Sequence, residues 1–270
     1  MKLIYQWVPW AYSNLACFKA KELIKNEITD INGMHDFKTV WKNINNENIA
    51  VLPFENSYAW SIHENLYNFL RYDYKIIWEI NLEINHCLLS KEEDIKDITN
   101  VYSHPQALEQ CHNFLKKNNI KPILYSDTAW AAEMIIWKSE SWIWAIASTL
   151  AWDIYWLNVL NEGIQDQNWN TTKFFLVTTK NSKVEYNNLK WRTSIIFETK
   201  NIPSALYKCL WAFATNNVNL TKIESMPSLK WPFTYLFWMN FEWNIENDNV
   251  KKSLEELEFF TKQIKILWEY

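Results

Sequence analysis

Glycine is nearly missing from this chain: of 270 residues only Gly33 and Gly163 are glycine, while 18 are tryptophan. Globular chains average roughly 7% glycine, so turns that need a positive φ lack the residue that tolerates it. No glycine-rich phosphate loop is present. The nearest candidate, Trp7-Val8-Pro9-Trp10-Ala11-Tyr12-Ser13, has neither GxGxxG spacing nor the P-loop lysine, even with glycine written for tryptophan. The four cysteines (Cys17, Cys87, Cys111, Cys209) form no CxxC pair and no short disulfide framework, so reduced thiols in a cytoplasmic protein are expected. Basic excess is missing too: 27 Lys+Arg against 31 Asp+Glu leave a net charge of −4, which offers no nucleic-acid footprint. The apolar stretch Trp142–Trp152 is too short for a bilayer, and Met1–Tyr5 reads as a strand without a signal-peptide pattern, so no membrane partner is expected. His104 and His112 lie eight apart without a paired acidic motif, so no metal site is read there, and there is no nucleophile elbow.

The tryptophans occupy places suited to glycine. Asn168-Trp169-Asn170 and Glu242-Trp243-Asn244 are turn-like, and Ala151-Trp152-Asp153 and Ser141-Trp142-Ile143-Trp144 set the largest side chain among small residues. UGA specifies tryptophan in one variant genetic code and glycine in another, and the abundance of Asn, Lys and Ile fits an AT-rich gene. The expectation is that most or all of the tryptophans are glycine in the natural protein, Trp238 being a strand position where an aromatic is acceptable.

Short apolar runs alternate with helical spacing, which favours α/β architecture. Ile49–Pro53 reads as a buried strand ending in a loop, Pro105–Lys116 as a helix, Thr128–Ile136 as a helix capped from Ser126-Asp127, and Phe174–Val177 as a strand. The polar segment Thr178–Lys190 reads as a linker. Beyond it, strands at Thr193–Thr199, Val218–Ser225, Phe233–Phe241 and Ile264–Leu267 interleave with helices at Pro203–Thr215 and Val250–Lys262. That is the βαββαβ ferredoxin-like order, with Pro203 in a first helical turn.

Polar clusters follow strand-like runs at Glu55-Asn56-Ser57, Ser103-His104, Asp127-Thr128 and Asn170-Thr171-Thr172-Lys173-Phe174. In open α/β sheets ligands bind beyond the carboxyl ends of strands, so the clusters suggest one cleft of hydroxyls, amides and a cation, suited to a polyoxygenated carboxylate.

At these residues, and over nearly its whole length, the chain resembles prephenate dehydratase. The likeness is carried by Trp7-x-x-Trp10-Ala11-Tyr12-Ser13, Pro53-Phe54-Glu55-Asn56-Ser57-x-x-Trp60, Ser103-His104-Pro105-Gln106-Ala107-Leu108-x-Gln110-Cys111, Asp127-Thr128-Ala129-Trp130-Ala131-Ala132 and Asn170-x-Thr172-Lys173-Phe174. Trp7, Trp10, Trp60, Trp130, Trp156, Trp243 and Trp268 stand where the family pattern has glycine.

The resemblance implies a catalytic domain at 1–180 of two α/β lobes, similar to type-II periplasmic binding proteins, a linker at 181–190, and an ACT regulatory domain at 191–270. It implies a cofactor-free carbon–oxygen lyase that converts prephenate to phenylpyruvate, water and CO2 in phenylalanine biosynthesis. Thr172 is the implied catalytic hydroxyl, and the implied substrate-binding residues are Glu55, Asn56, Ser57, Ser103, His104, Gln106, Asp127, Thr128, Ala129, Asn170, Lys173 and Phe174. Lys173 replaces the family's arginine, keeping the charge but losing the planar two-point grip. An L-phenylalanine site at a subunit interface is implied at Asn201, Pro203, Ser204, Ala205, Leu206, Asn219, Leu220, Glu224 and Ser225, with a homodimer or homotetramer. Ser204 and Met226 depart from the family's glycine and arginine, so weakened phenylalanine inhibition is expected. The alternatives are an arogenate dehydratase and a non-catalytic amino-acid sensor.

Overall fold

The computed structural model describes residues 1–6, 11–58, 60–92, 99–138, 143–148, 156–167, 169–184 and 192–269. Trp7, Trp10, Trp142, Trp152 and most of the expected linker lie outside the described residues.

The first lobe begins with an apolar run. Strand β1 (Lys2–Gln6) buries Leu3, Ile4 and Tyr5 between two parallel neighbours, which suits an unbroken apolar strand. Helix α1 (Tyr12–Leu23), β2 (Asp30–Met34), α2 (Phe37–Asn43), β3 (Asn48–Asn56), the short β4 (Trp60–Ser61), α3 (His63–Arg71) and β5 (Tyr74–Glu83) follow. Asp36 caps α2 by accepting the Thr39 N–H at 2.6 Å.

The chain then crosses to a second lobe of β6 (Cys87–Ser90), β7 (Asn100–Ser103), α4 (Pro105–Gln110), α5 (His112–Lys117), β8 (Lys121–Leu124), α6 (Thr128–Trp137), β9 (Ile143–Ala147) and β10 (Asn158–Asn161). It returns in β11 (Thr171–Thr179), which inserts antiparallel between β3 and β5. The sheet orders are β2-β1-β3-β11-β5, with β4 on β3, and β10-β6-β9-β7-β8. This is the expected two-lobed α/β arrangement.

The predicted helix over 105–116 is broken at Cys111 (φ −110, ψ 18). The Asp166 N–H takes the Gln110 carbonyl at 2.6 Å, and the Asp166 carboxylate receives the Asn113 N–H at 3.1 Å, so a distant segment supplies partners at the break.

The last unit consists of β12 (Arg192–Thr199), α7 (Ala205–Thr215), β13 (Leu220–Pro227), β14 (Tyr235–Glu242), α8 (Asp248–Glu258) and β15 (Thr261–Glu269). Its antiparallel order β13-β14-β12-β15 is ferredoxin-like. Pro203 lies in the turn before α7 rather than in its first turn, because Ser204, the residue between them, is left-handed (φ 59).

Period-two alternation divides the cores. Leu3, Tyr5, Ile49, Val51, Phe174 and Leu176 pack with α1, whereas Ile4, Ala50, Leu52, Phe54, Phe175 and Val177 pack on the opposite face. That second face also receives Ile196, Met226, Leu236, Trp238, Leu267 and Trp268 of the last unit, so one apolar core spans both units. Helices α7 and α8 cover the other side of the last sheet over Ile195, Phe197, Phe213 and Phe241.

The pairing of β11 with β3 contains a register shift: Lys173 faces Glu55 but Phe174 faces Pro53, leaving Phe54 as the extra residue. The strand therefore runs through Pro53, where the sequence reading ended it. A proline, which has no N–H to donate, is at home beside a bulge.

The tryptophans fall into contrasting settings. Trp156 (φ 53, 91% exposed) and Trp243 (φ 75) occupy the left-handed region, like Gly163 (φ 64). Trp41 is fully buried, stacked with Tyr72 and Tyr74, and donates from Nε1 to Asn65 Oδ1 at 2.8 Å. We expect Trp156→Gly and Trp243→Gly each to raise the unfolding free energy by about 1 kcal/mol, by relieving a conformation disfavoured for L-residues. Trp41→Gly in the same chain should lower it by about 3–5 kcal/mol. Urea denaturation of the single variants checks both signs.

Candidate active site

The lobes are joined at Ile84–His86, which meets Ile164, Gln165 and Asn170. The Ile84 N–H donates to the Asn170 carbonyl (2.8 Å), the Ile164 N–H to the His86 carbonyl (3.1 Å), and the His86 N–H to Gln165 Oε1 (2.9 Å). A cavity of about 200 Å³ opens at this junction. Tyr12, Ser13, Asn56, Thr172 and Phe174 line it from the first lobe, and His104, Gln106, Gln110, Asp127 and Thr128 from the second, with His86 at the hinge.

The β3 bulge decides which side chains enter. Strict alternation from Val51 and Pro53 would send Glu55 into the cavity and Asn56 behind the sheet. The extra residue reverses this, so Pro53 and Asn56 line the cavity while Phe54 and Glu55 both face the last unit.

A hydrogen-bond chain of fixed direction then runs through the site. The Tyr58 backbone N–H can only donate, and it meets Asn56 Oδ1 at 3.0 Å. Asn56 Nδ2 consequently faces Thr172 Oγ1 (2.9 Å) and Asn170 Oδ1 (2.9 Å). Asn170 Nδ2 in turn donates to Gln110 Oε1 at 2.8 Å. Thr172 Oγ1 thus receives a hydrogen bond, which leaves its own proton to be donated.

Anion-friendly backbone surrounds the cavity. Helix α1 has alanine, Ala11, at its N-cap, with no side-chain cap among the described residues, and starts at Tyr12 and Ser13 on the cavity wall; α6 starts at Thr128. Helix N-termini carry partial positive charge. No lysine or arginine is among the described lining residues. Asp127, 2% exposed, caps α6 by accepting from the Ala129 and Trp130 N–H groups at 2.7 and 3.2 Å. Burial raises its pKa, opposed by those hydrogen bonds and by His104. His104 Nδ1 accepts the Gln106 N–H, and burial lowers the ring's pKa despite the charge of Asp127.

The structure brings together Asn56, His104, Gln106, Asp127, Thr128, Thr172 and Phe174 in the cavity wall, with Asn170 directly behind. Other expected residues are placed elsewhere. Ser103 Oγ donates to the Ile146 carbonyl at 2.6 Å, joining β7 to β9. Ser57 accepts the Thr171 N–H and donates to the Trp169 carbonyl, closing a loop. The Ala129 N–H is engaged by Asp127.

Lys173 and Glu55 lie behind the sheet, not in the cavity. Lys173 Nζ is 3.6 Å from both Glu55 and Glu79, and Lys222 Nζ of β13 reaches Glu55 at 2.5 Å. Lys222 also contacts Glu224 (3.1 Å) and Ser61 (3.1 Å) and lies over the Trp238 ring. Glu224, expected at a phenylalanine site, is engaged by Ser61 (2.5 Å) and His63 (2.6 Å) of the first lobe. Burial alone would raise its pKa, but these partners and Lys222 bring it below the usual range. Asn201, Pro203 and Ser204 form an exposed turn before the buried Ala205 and half-buried Leu206; Asn219, Leu220 and Ser225 lie on or beside the edge strand β13.

Tyr12, Ser13, His86 and Gln110 line the cavity but were not singled out as site residues. Gln110 was detectable at i+4 from Gln106 on one helical face; His86 sits between strands with no local pattern to mark it. Among the described residues no group of His, Cys, Asp and Glu is placed to hold a metal ion.

The fold and site define a two-lobed α/β protein with an amide-oriented hydroxyl at its hinge. Residues 3–182 match the prephenate dehydratase family, and the chain belongs to that family. It is 35% identical to arogenate dehydratase/prephenate dehydratase 2 of Arabidopsis thaliana, covering 100% of this chain and 72% of that protein. It is also 35% identical to the prephenate dehydratase of Methanocaldococcus jannaschii, covering 99% and 97%. The crystal structure of the Staphylococcus aureus prephenate dehydratase superposes with a TM-score of 0.85 at 25% identity, covering 100% of each chain.

His86 generates a pH prediction. Burial pushes its pKa down from 6.5 to about 4, against the bond with Gln110. Below pH 6.5 the unfolded chain takes up a proton that the folded chain refuses. Stability from this group is therefore complete above pH 6.5 and is lost as pH falls towards 4, by on the order of 3 kcal/mol. Denaturation midpoints measured between pH 7 and 4, with His86→Gln as control, should show a loss that the variant lacks.

Proposed function

We propose that the chain is a prephenate dehydratase. Prephenate would lie in the hinge cavity; its ring carboxylate leaves as CO2, the C–C electron pair enters the ring, and the C4 hydroxyl departs with one added proton as water. Aromatisation drives the step. The observation that carries this reading is Thr172 Oγ1 in the cavity wall, accepting from Asn56 at 2.9 Å and so presenting its own proton to a leaving hydroxyl. The N-terminus of α1 at the cavity wall, and Gln110 Nε2, buried and without a hydrogen-bond partner among the described residues, would supply donors for carboxylates. Lys173 would act from behind the sheet, and Lys173→Arg should leave KM near its starting value.

Arogenate is a second substrate to test, since the Arabidopsis relative carries both activities in its name. Residues 191–270 are read as an ACT domain that pairs copies of the chain and takes L-phenylalanine as effector. The left-handed Ser204, where glycine would fit, and Met226, wholly buried in the shared core, support weakened phenylalanine binding. The cysteines, free and buried, support a reducing cytoplasmic setting. We also infer that many of the tryptophans are recoded glycines, supported by the left-handed Trp156 and Trp243.

The test is phenylpyruvate formation from prephenate and phenylalanine formation from arogenate, by the chain as written and by one with glycine at the tryptophan positions. Turnover of prephenate by a folded chain supports the reading. A folded chain that turns over neither substrate but binds phenylalanine is a sensor. Thr172→Ala should lower kcat by roughly 10²–10⁴-fold while Thr172→Ser retains most of it. Calorimetry with L-phenylalanine should show weak binding, and tight binding would overturn the weakened-effector reading.

A further inference from the structure

We propose that His86 is a positioning residue: as the neutral Nε2–H tautomer it locks the Gln110 side chain of the cavity wall in one orientation, its oxygen towards His86 and Asn170 and its NH2 group turned away from both. The ligand that NH2 group meets, a substrate carboxylate, rests on the prephenate reading; the assignment of the proton does not.

The hydrogen bonds have a fixed direction. Their polarity starts at the Tyr58 backbone N–H, which fixes the Asn56 amide, which fixes Asn170, which donates into Gln110 Oε1 at 2.8 Å. His86 Nε2 lies 2.7 Å from that same oxygen. An oxygen already accepting from Asn170 can only accept again, so His86 Nε2 carries the hydrogen. Nδ1 is then a lone pair. It faces the Tyr12 hydroxyl at 3.1 Å, whose single proton is shared between this lone pair and the Asn85 carbonyl at 2.9 Å.

Gln110 Oε1 is therefore pinned by two donors, and turning the amide over would set its NH2 against the NH2 of Asn170. The remaining end, Nε2, is buried without a hydrogen-bond partner among the described residues, and the residue lines the cavity. A buried unmet donor is costly, and an anionic oxygen would satisfy it. Removing His86 leaves Asn170 as the one donor to Gln110 Oε1 among the described residues and frees the amide to turn. His86 itself touches no reacting atom in this scheme. Its effect should fall on binding more than on turnover.

The experiment compares the full chain with His86→Leu and His86→Gln, the latter carrying an amide donor in place of the ring N–H. Nitrogen-15 NMR of histidine-labelled protein should show one ring protonated at Nε2 and not at Nδ1, unchanged from pH 7 to about 5. His86→Leu should raise KM for prephenate by roughly tenfold, the loss of about one hydrogen bond to a charged group, with kcat within about threefold; His86→Gln should recover most of the KM. An Nδ1–H tautomer, or a folded His86→Leu with unchanged KM, would overturn the inference. Should His86→Leu fail to fold, the tautomer and the KM of His86→Gln decide. If the starting chain turns over no prephenate, the functional reading fails while the tautomer measurement still judges this one.

Discussion

The extra residue in β3 sets the geometry on which the site depends. Without it, Asn56 would face the last unit, Thr172 Oγ1 would lose its donor, and Glu55 would enter a cavity whose described wall contains no lysine or arginine to answer it. The bulge sits beside Pro53, which cannot complete a regular ladder, so a local defect of the peptide chain chooses the chemistry that faces the cleft.

The same reversal ties the last unit to the strands that line the cavity. Glu55 and Lys173, adjacent across β3 and β11, turn their charges away from the cavity towards Lys222 and Glu79. Each sits one residue from a cavity group, Asn56 or Thr172. The apolar core beneath includes Phe54, Phe175, Trp238 and Trp268, so β13 and β14 are packed onto the strands that carry the site. Met226 follows from this packing: its side chain is wholly enclosed in that core, where a guanidinium would need buried partners.

The near-absence of glycine meets its consequence at a few backbone positions. Trp156 and Trp243 hold φ values that bulky residues avoid, whereas Trp41 is fully enclosed and hydrogen-bonded. Composition therefore acts residue by residue: the cost falls where the turn requires the left-handed region, not wherever a tryptophan occurs.

Much of the architecture was legible in sequence because its signals are local. Apolar runs marked β1 and β11, Asp127 marked the start of α6, and strand and helix order marked the last unit. The helix break at Cys111 was not legible, since its partner Asp166 arrives from 55 residues away. Of the candidate site, the residue types and their segments were readable: Asn56, His104, Gln106, Asp127, Thr128 and Thr172 do share one cavity. By itself the sequence determined the elements and the hydroxyl and amides available to the cleft, because these follow from short-range pattern, while the two-lobed class came from the family resemblance that its motifs carry. Only the tertiary structure decided that Glu55 and Lys173 face away, that Gln110 and His86 complete the hydrogen-bond chain, and that β13 reaches the back of the site. Each depends on register and on contacts between segments distant in the chain, which no local pattern encodes.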